Sequence, residues 1–458
     1  MKKWINIEDW STTRKITFSF LLVILVGSVL LSLPWMHRSG AQTQYLDHLF
    51  TAVSMVCVTG LSVLNVKEVY SFAGQLVSIG LMQIGGLGLI TLISISFYHL
   101  KKSLSLKDQY TLQEALNYPS SREIRHFLSM VYRFTFIIEG IGMLLLMFEF
   151  VPRFGWVDGI WTSIFTAVSA FCNAGFDNLG DSSLQAYVTN PLVSLTVPAL
   201  IICGGLGFSV WKDLRDSMRR FLHDRPRRLK RIWSHLSYHS RLVLMMTFGL
   251  LIGGMCITWL IELHNPATIG KLSLPQQGIT SFFQSATMRT AGFATIDYTK
   301  TMPATNFIYM ILMFIGGAPG GTAGGVKVTT IAIAILLCIA EIKGSEQVGF
   351  GYRSFPRALV KQAVTLLLVF AVVFLTGFAL LLLTQPHLSF EELIFEAISA
   401  MATVGVSMNL TAKLNVAGEI IIMMLMFIGR VGPLTFFLSM MQRERREIKY
   451  AETNILIG

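Results

Sequence analysis

Four segments of the chain repeat one pattern: Phe50-TAVSMVCVT-Gly60, Phe165-TAVSAFCNA-Gly175, Phe282-FQSATMRTA-Gly292 and Phe395-EAISAMATV-Gly405. In each segment a Phe precedes a Gly by ten positions, with small residues between them. Ser54, Ser169 and Ser399 share one register, in which the third segment has Ala286. One or two such matches arise by chance in apolar sequence, but four at even intervals over 458 residues indicate an internal repeat.

Long apolar runs flank these segments. Six runs contain no Asp, Glu, Lys or Arg: residues 16–37, 69–100, 182–211, 242–261, 301–326 and 362–390. Each is at least as long as the roughly 20 residues that a helix needs to cross the hydrocarbon core. Of all residues 53% are hydrophobic and 14% are charged, whereas soluble domains carry about 25% charged residues. This composition excludes an ordinary soluble protein and a disordered chain, and it predicts a polytopic membrane protein.

Each repeated segment is only ten to fourteen residues long, which is too short to span a bilayer. We therefore interpret it as a re-entrant half-helix that ends in a glycine loop. A second glycine pattern follows 24 to 29 residues later: Gly85-Gly-Leu-Gly88, Gly204-Gly-Leu-Gly207, Gly316-Gly-Ala-Pro319 and Gly429-Arg-Val-Gly432. The predicted unit is helix, half-helix with loop, and helix. It occurs at 14–100, 126–214, 241–341 and 356–442, before a tail at 443–458.

The predicted fold is an all-α polytopic membrane protein with pseudo-fourfold symmetry around a central cation pore. Non-helical backbone survives at membrane depth only where protein buries it or where it lines a water-filled path. Glycine permits positive φ, so carbonyl groups can face the axis and replace the hydration shell of K⁺. The half-helix C-termini, each with about −0.5 charge, also favour a cation. The candidate ion-binding residues are Val58, Thr59, Gly60, Asn173, Ala174, Gly175, Thr290, Ala291, Gly292, Thr403, Val404 and Gly405.

Close helix packing through small residues is the alternative explanation for the repeated glycines. It does not explain the re-entrant length or the fixed register. Five scattered cysteines without a CxxC pair favour neither a disulfide framework nor a zinc site.

The net charge of +11 follows the predicted topology. Five segments hold 27 of the 37 Lys and Arg residues: 2–15, 101–125, 212–241, 343–361 and 443–449. The positive-inside rule places these segments and both termini in the cytoplasm, so the charge does not indicate nucleic-acid binding. The first apolar run is too long for a signal peptide and is interpreted as a span. Segment 212–241 serves as an orientation signal, or docks a regulator or anionic lipid.

Residues 316–325 hold six glycines and Pro319 inside a run that should span. Glycine disfavours a helix interior by about 1 kcal/mol and proline by about 3 kcal/mol, so the helix is predicted to break. We interpret the break as a movable gate, with a passive kink as the alternative. A phosphate-binding loop is rejected because Val328, not Ser or Thr, follows the lysine. The predicted gate residues are Gly316, Gly317, Gly320, Gly321, Gly324, Gly325, Lys327 and Arg430.

Lys327 and Arg430 are bases at membrane depth, where charges are costly and usually functional. Arg430 shares its register with Gly86, Gly205 and Gly317. It is either an electrostatic barrier below the pore or a tie that donates hydrogen bonds to loop carbonyls. Lys327 either joins the gate or extends towards the cytoplasm. Two acidic residues are candidate counter-charges, Glu139 and Glu396, and the base before the third loop, Arg289, is interpreted as a structural tie.

The motifs together resemble the membrane subunit of the Trk/Ktr/HKT potassium-transporter superfamily. The most specific are Arg289-Thr-Ala-Gly-Phe293, Asn173-Ala-Gly-Phe-Asp177 and Gly316-GAPGGTAGGVK-Val328. The chain is more similar to the Ktr-type subunit than to the Trk-type one, because it has no extra helix pair before the first unit. The resemblance implies M1–P–M2 units, a homodimer and a cytosolic nucleotide-binding regulatory ring. Ala294 and Gly321 depart from residues that are common in relatives, which bears on gating more than on selectivity.

The expected function is K⁺ uptake across the cell membrane, driven by the membrane potential, with Na⁺ as a candidate coupled ion. Sodium-conducting relatives commonly have Ser at the first filter glycine, so Gly60 favours K⁺. The alternatives are a gated cation channel without coupling and an Na⁺/K⁺ symporter. An enzyme is not expected because the spans contain neither HExxH nor GxSxG, and no organic cofactor is expected.

Overall fold

The computed structural model describes residues 10–88, 121–180, 182–223 and 229–440. The described chain is almost entirely α-helical, which confirms the predicted fold class. Residues 101–120 of the predicted basic segment 101–125 lie outside the described residues, as do the basic segment 443–449 and the rest of the C-terminal tail. So does the end of the first predicted unit, at 89–100.

Among the described residues, four helices are long and apolar enough to cross a membrane. They are α1 (Thr12–Leu31), α5 (Ser121–Phe154), α10 (Tyr238–Glu262) and α14 (Arg357–Thr384). Large apolar side chains on them remain exposed, such as Phe148 at 75% and Leu383 at 78%. A helix that is apolar on its outward as well as its inward face is typical of a membrane span.

A shorter helix follows each long one. These half-helices are α2 (Tyr45–Val56), α6 (Trp156–Cys172), α11 (Leu274–Thr287) and α15 (Phe390–Met401), of 12, 17, 14 and 12 residues. At 1.5 Å per residue, 12 residues rise about 18 Å, well short of a bilayer core of about 30 Å. Helix α6 is longer than the predicted ten to fourteen residues because it begins directly after the turn at Gly155, which has a φ of 81°.

The third helix of each unit is short, bent or broken. Helix α4 (Phe72–Leu87) follows the short α3 (Val66–Val69). Helix α7 (Pro191–Gly205) bends by 97° into α8 (Phe208–His223), and α16 (Val416–Val431) bends by 94° into α17 (Pro433–Met440). The third of these helices breaks into α12 (Pro303–Phe314) and α13 (Val328–Ile342), as its glycine content predicts.

The remaining elements are connections. Helix α9 (Leu229–His235) precedes α10, and an antiparallel hairpin joins α13 to α14 through β1 (Gly349–Phe350) and β2 (Arg353–Ser354). The described part of the chain also contains 3₁₀ turns at Pro34–Met36, Gln185–Tyr187, Tyr298–Lys300 and Thr411–Lys413.

Glycines of the second pattern let these third helices touch the half-helices through backbone. A Cβ on Gly85 would lie 2.2 Å from the Val56 carbonyl oxygen, and one on Gly204 would lie 1.9 Å from that of Phe171. A Cβ on Gly429 would lie 2.0 Å from the Met401 carbonyl oxygen. Real Cβ atoms do not approach this closely, so only glycine allows the contact. The half-helix C-termini are thereby fixed at the centre of the molecule.

Candidate functional site

The loops that follow the four half-helices adopt the same unusual backbone conformation. Each begins with a non-glycine residue in the left-handed region: Val58 (φ 57°), Asn173 (59°), Thr290 (65°) and Thr403 (53°). Two positions later each has its glycine, with φ between 71° and 102°. Left-handed residues with a Cβ cost about 1–3 kcal/mol each, and β-branched ones are rare there. Because this conformational free-energy cost recurs at the equivalent position of all four loops, the backbone geometry is interpreted as functional.

The half-helices occupy the N–H groups of these loops. The N–H groups of Thr59, Ala174 and Val404 each donate to a half-helix carbonyl at 2.8 Å. The repeated serine adds a second bond in two loops, where Gly60 N–H and Gly405 N–H donate to Ser Oγ at 3.1 Å. The third loop has Ala286 in that register and no such hydroxyl. Because most of their N–H groups donate to the half-helices, the loops have carbonyl oxygens to offer to a ligand.

The four loops meet at one point. If each of the four glycines carried a Cβ, that atom would lie 1.9–2.9 Å from a carbonyl oxygen of a neighbouring loop. In each case the oxygen belongs to the residue that precedes the glycine of that neighbouring loop. The oxygens concerned belong to Thr59, Ala174, Ala291 and Val404. The structure thus brings together all twelve residues that the repeat pattern predicts as one site, although they are up to 347 positions apart in sequence.

A cavity of about 330 Å³, here called the vestibule, adjoins this point. All four loop glycines line it, together with Asp177 and Asp297. Burial raises the pKa of the Asp177 carboxyl above its usual value. Burial acts the same way on Asp297, but hydrogen bonds from Thr299 and Lys300 outweigh it and hold its pKa below the usual value. Asp297 therefore supplies a negative charge at the entrance, partly balanced by the Lys300 ammonium 3.1 Å away.

The glycine-rich loop, residues 315–327, lies on the opposite side of the four loops. Its ends are joined, because Gly316 N–H donates to the Val326 carbonyl at 2.9 Å. Gly324 N–H donates to Thr290 Oγ1 at 3.1 Å, and a Cβ on Gly324 would lie 1.9 Å from Thr403 Oγ1. The loop is packed directly against the residues that begin two of the four converging loops.

Further bonds hold the glycine-rich loop to the second unit. Ala318 N–H donates to the Gly205 carbonyl at 2.9 Å, and Thr322 N–H to the Gly204 carbonyl at 3.1 Å. The Thr322 hydroxyl also donates to the Phe171 carbonyl at 3.0 Å. Sequence reasoning missed Thr322, although it is the only hydroxyl residue within the glycine run.

Arg430 joins three parts of the molecule. Its Nη1 donates to the Thr322 carbonyl at 2.6 Å, and its Nη2 donates to the carbonyls of Gly85 and Gly86 at 2.5 and 3.1 Å. Of the two roles that the sequence left open, this geometry is that of a tie to loop carbonyls. Lys327 does not extend away from the loop, since its Nζ donates to the Ala323 carbonyl at 2.7 Å.

The predicted counter-charges, Glu139 and Glu396, do not pair with Arg430 in the part of the chain that the structure describes. Glu396 instead accepts a hydrogen bond from Thr411, beside the fourth loop. Arg289 is 4% exposed and donates to Thr247 Oγ1 on α10 at 3.3 Å.

A family model of cation transport proteins, TrkH, matches residues 2–446. The chain belongs to the TrkH family. Members are membrane ion transporters, so this chain is not an enzyme. The potassium transporter TrkH from Vibrio parahaemolyticus has the same fold, with a TM-score of 0.70 at 18% identity over 92% of this chain and 84% of that one.

Curated relatives cover the TrkH-family chain from end to end. The potassium/sodium uptake protein NtpJ of Enterococcus hirae is 40% identical over 100% of this chain and 99% of its own length. The Ktr system potassium uptake proteins B of Vibrio alginolyticus and Bacillus subtilis are 37% and 36% identical, over 97% and 100% of this chain and 94% and 98% of their own lengths. The resemblance to the Ktr-type membrane subunit is confirmed.

Proposed function

We propose that this TrkH-family chain carries K⁺ into the cell through a filter formed by its four converging loops. The ion ligands are carbonyl oxygens of four triads: Val58–Gly60, Asn173–Gly175, Thr290–Gly292 and Thr403–Gly405. The observation that carries the proposal is their convergence with one repeated backbone conformation. Carbonyl rings of this kind replace the hydration shell of K⁺. The names of the relatives, which describe potassium or potassium/sodium uptake, support the choice of ion.

The glycine-rich loop is the proposed gate. It packs against Thr290 and Thr403 on the side of the filter opposite the vestibule, where it obstructs the path of an ion. Its polar contacts are hydrogen bonds to backbone carbonyls, to the Thr290 hydroxyl and from Arg430, and these can be exchanged for water when the loop withdraws. Arg430 keeps the loop in the closed position through Thr322 and adds positive charge below the filter.

The proposed setting is the cell membrane, with both termini and the basic loops in the cytoplasm. The chain is proposed to act as a homodimer with a cytosolic nucleotide-binding regulatory ring. Support for the ring comes from the word "system" in the names of the Ktr relatives, which implies a second component. The transported ion is K⁺, and no organic cofactor is proposed.

Two alternatives share the same filter. One is a gated cation channel without coupling, and the other is an Na⁺/K⁺ symporter. The name of one relative, a potassium/sodium uptake protein, supports the symporter as an alternative. The two differ in whether K⁺ flux in proteoliposomes needs Na⁺ on the same side.

Growth of a bacterium that lacks its own K⁺ uptake systems tests the proposed function. Expression of the chain with its regulator should restore growth at low external K⁺, and potential-driven K⁺ uptake should appear in proteoliposomes of the purified protein. A folded, membrane-inserted protein that gives neither growth nor flux, with and without Na⁺, would overturn the proposal.

A further inference from the structure

Helix α8 runs nearly perpendicular to α7, the apolar helix that precedes it. It leaves α7 at an angle of 97° through Leu206 and Gly207, and Gly207 has a φ of 85°. A helix perpendicular to a span lies along the membrane surface. Trp211 near its start donates from Nε1 to the Cys203 carbonyl at 2.8 Å, at the end of α7. Tryptophan is enriched at this depth, where the apolar core meets the headgroups.

One face of α8 is held against the protein. Asp213 accepts hydrogen bonds from Ser237 N–H at 2.9 Å and from Ser240 Oγ at 2.6 Å, at the start of α10. Burial alone would raise the pKa of the Asp213 carboxyl, but these bonds outweigh it and hold the pKa below the usual value. Val210 and Ser217 on the same face are buried. The orientation of α8 about its axis is therefore fixed.

The opposite face combines bases with exposed apolar side chains. Arg215, Met218, Arg219 and Leu222 follow the spacing i, i+3, i+4, i+7 and therefore share one face. Met218 is 47% and Leu222 57% exposed. Arg215 lies 3.3 Å from the Asp216 carboxylate, whereas Arg219 is exposed and forms no ion pair within the part of the chain that the structure describes.

We propose that this face, the Arg215–Leu222 face, binds an anionic phospholipid of the cytoplasmic leaflet. The Arg219 guanidinium contacts the headgroup phosphate, and Met218 and Leu222 lie among the upper acyl carbons. Basic residues near an anionic leaflet are attracted to its negative surface potential. A lipid fits better than a protein partner because the helix lies along the surface with its apolar side chains beside the bases. The inference rests on the orientation given under the proposed function.

The lipid site is joined to the proposed gate. Phe208 N–H, at the first residue of α8, donates to the Gly320 carbonyl at 3.1 Å. A Cβ on Gly207 would lie 2.6 Å from the Pro319 carbonyl oxygen. The start of α8 and the glycine-rich loop thus touch through backbone, so a lipid that fixes the position of α8 also stabilises the closed loop.

Thermal unfolding of the full chain in neutral detergent tests the lipid site without reference to transport. Phosphatidylglycerol should raise the unfolding temperature of wild type more than phosphatidylcholine does. The variant Arg219→Gln should lose about half of that difference or more, since it removes one of the two bases of the face. Arg220→Gln is the matched control, because Arg220 is exposed on the same helix but outside this face, and it should behave as wild type.

Equal losses in the Arg219 and Arg220 variants would overturn the proposal, because they would indicate unspecific attraction to charge. An unchanged lipid response of Arg219→Gln with weaker binding of the regulator would also overturn it, in favour of a protein partner. Potassium flux of wild type in vesicles is measured separately. Failure of the proposed function would abolish that flux and leave the unfolding result intact.

Discussion

The four filter glycines do not have equal room around them. A Cβ on Gly60 would lie 2.8 Å from the Ala174 carbonyl oxygen, whereas one on Gly405 would lie 1.9 Å from that of Thr59. Both glycines have a positive φ that side chains disfavour. Gly60→Ser is therefore expected to fold and to reduce K⁺ over Na⁺ discrimination about tenfold, which corresponds to ~1.4 kcal/mol. Gly405→Ser is expected to lower the yield of folded protein more than Gly60→Ser.

Ion competition in proteoliposomes, normalised to folded protein, measures this difference. Gly140→Ala is the control, because a Cβ there meets nothing within 4 Å. Unchanged K⁺ over Na⁺ competition in folded Gly60→Ser protein would count against the filter assignment.

Arg430 makes a second prediction possible, because charge and hydrogen bonding can be separated at this position. Arg430→Ala leaves the carbonyls of Thr322 and Gly85 without their donor, at about 1–3 kcal/mol for each buried group. Arg430→Lys keeps the positive charge, but an ammonium lacks the planar fork that bridges carbonyls in two directions. If Arg430 is a tie that holds the loop, both variants should unfold at lower temperature and show higher K⁺ flux per folded molecule.

The two substitutions distinguish the roles that the sequence left open. A lysine variant with wild-type flux, beside an alanine variant with raised flux, would show that charge alone forms the barrier. Lower flux per folded molecule in both variants would contradict any gating role of Arg430.

The glycine-rich loop is an element with fixed ends and removable contacts. The bridge between Ile315 and Val326 closes its base, so shortening the loop between these residues leaves α12 and α13 connected as before. Deletion of residues 319–322 removes the contacts of Thr322 with Gly204, Phe171 and Arg430. We expect higher K⁺ flux and weaker dependence on the regulator, measured in proteoliposomes with and without the regulatory subunit.

The control for this deletion is Thr322→Val, which removes the hydroxyl but keeps the backbone contacts. It should remain close to wild type in flux. A deletion variant that folds with an intact filter yet carries less K⁺ than wild type would contradict the proposal that the glycine-rich loop is a gate.

The elements were predictable to different degrees from the sequence. The half-helices and the broken third helix follow from length, glycine and proline, which act locally. The 97° bend between α7 and α8 was not predicted, although Gly207 at the bend has a φ of 85°, as Gly432 has a φ of 91° at the 94° bend between α16 and α17. Its tertiary contact was not predictable either, because Phe208 N–H donates to the carbonyl of Gly320, which is 112 positions away in sequence.

At the scale of the whole molecule, the meeting of the repeated positions was predictable from the sequence, whereas the contacts of individual long side chains were not. The fourfold register indicated that Gly60, Gly175, Gly292 and Gly405 would meet, because equivalent positions in symmetric units share one axis. The partners of Arg430 were not predictable, since Gly85 lies 345 positions away and offers only a backbone carbonyl. The hydrogen bond from Lys327 Nζ to the Ala323 carbonyl was not predictable either, because a long side chain can reach either the loop or the membrane surface.

The central claim is that four loops of a single chain form one K⁺-binding filter. Crystals grown with Rb⁺, which resembles K⁺ in size and coordination, test it by anomalous diffraction. We predict anomalous peaks between the carbonyl oxygens of Thr59, Ala174, Ala291 and Val404, and their persistence when an equal concentration of Na⁺ is added. A well-ordered structure in Rb⁺ with no peak between these oxygens, or with peaks that equal Na⁺ abolishes, would contradict the claim.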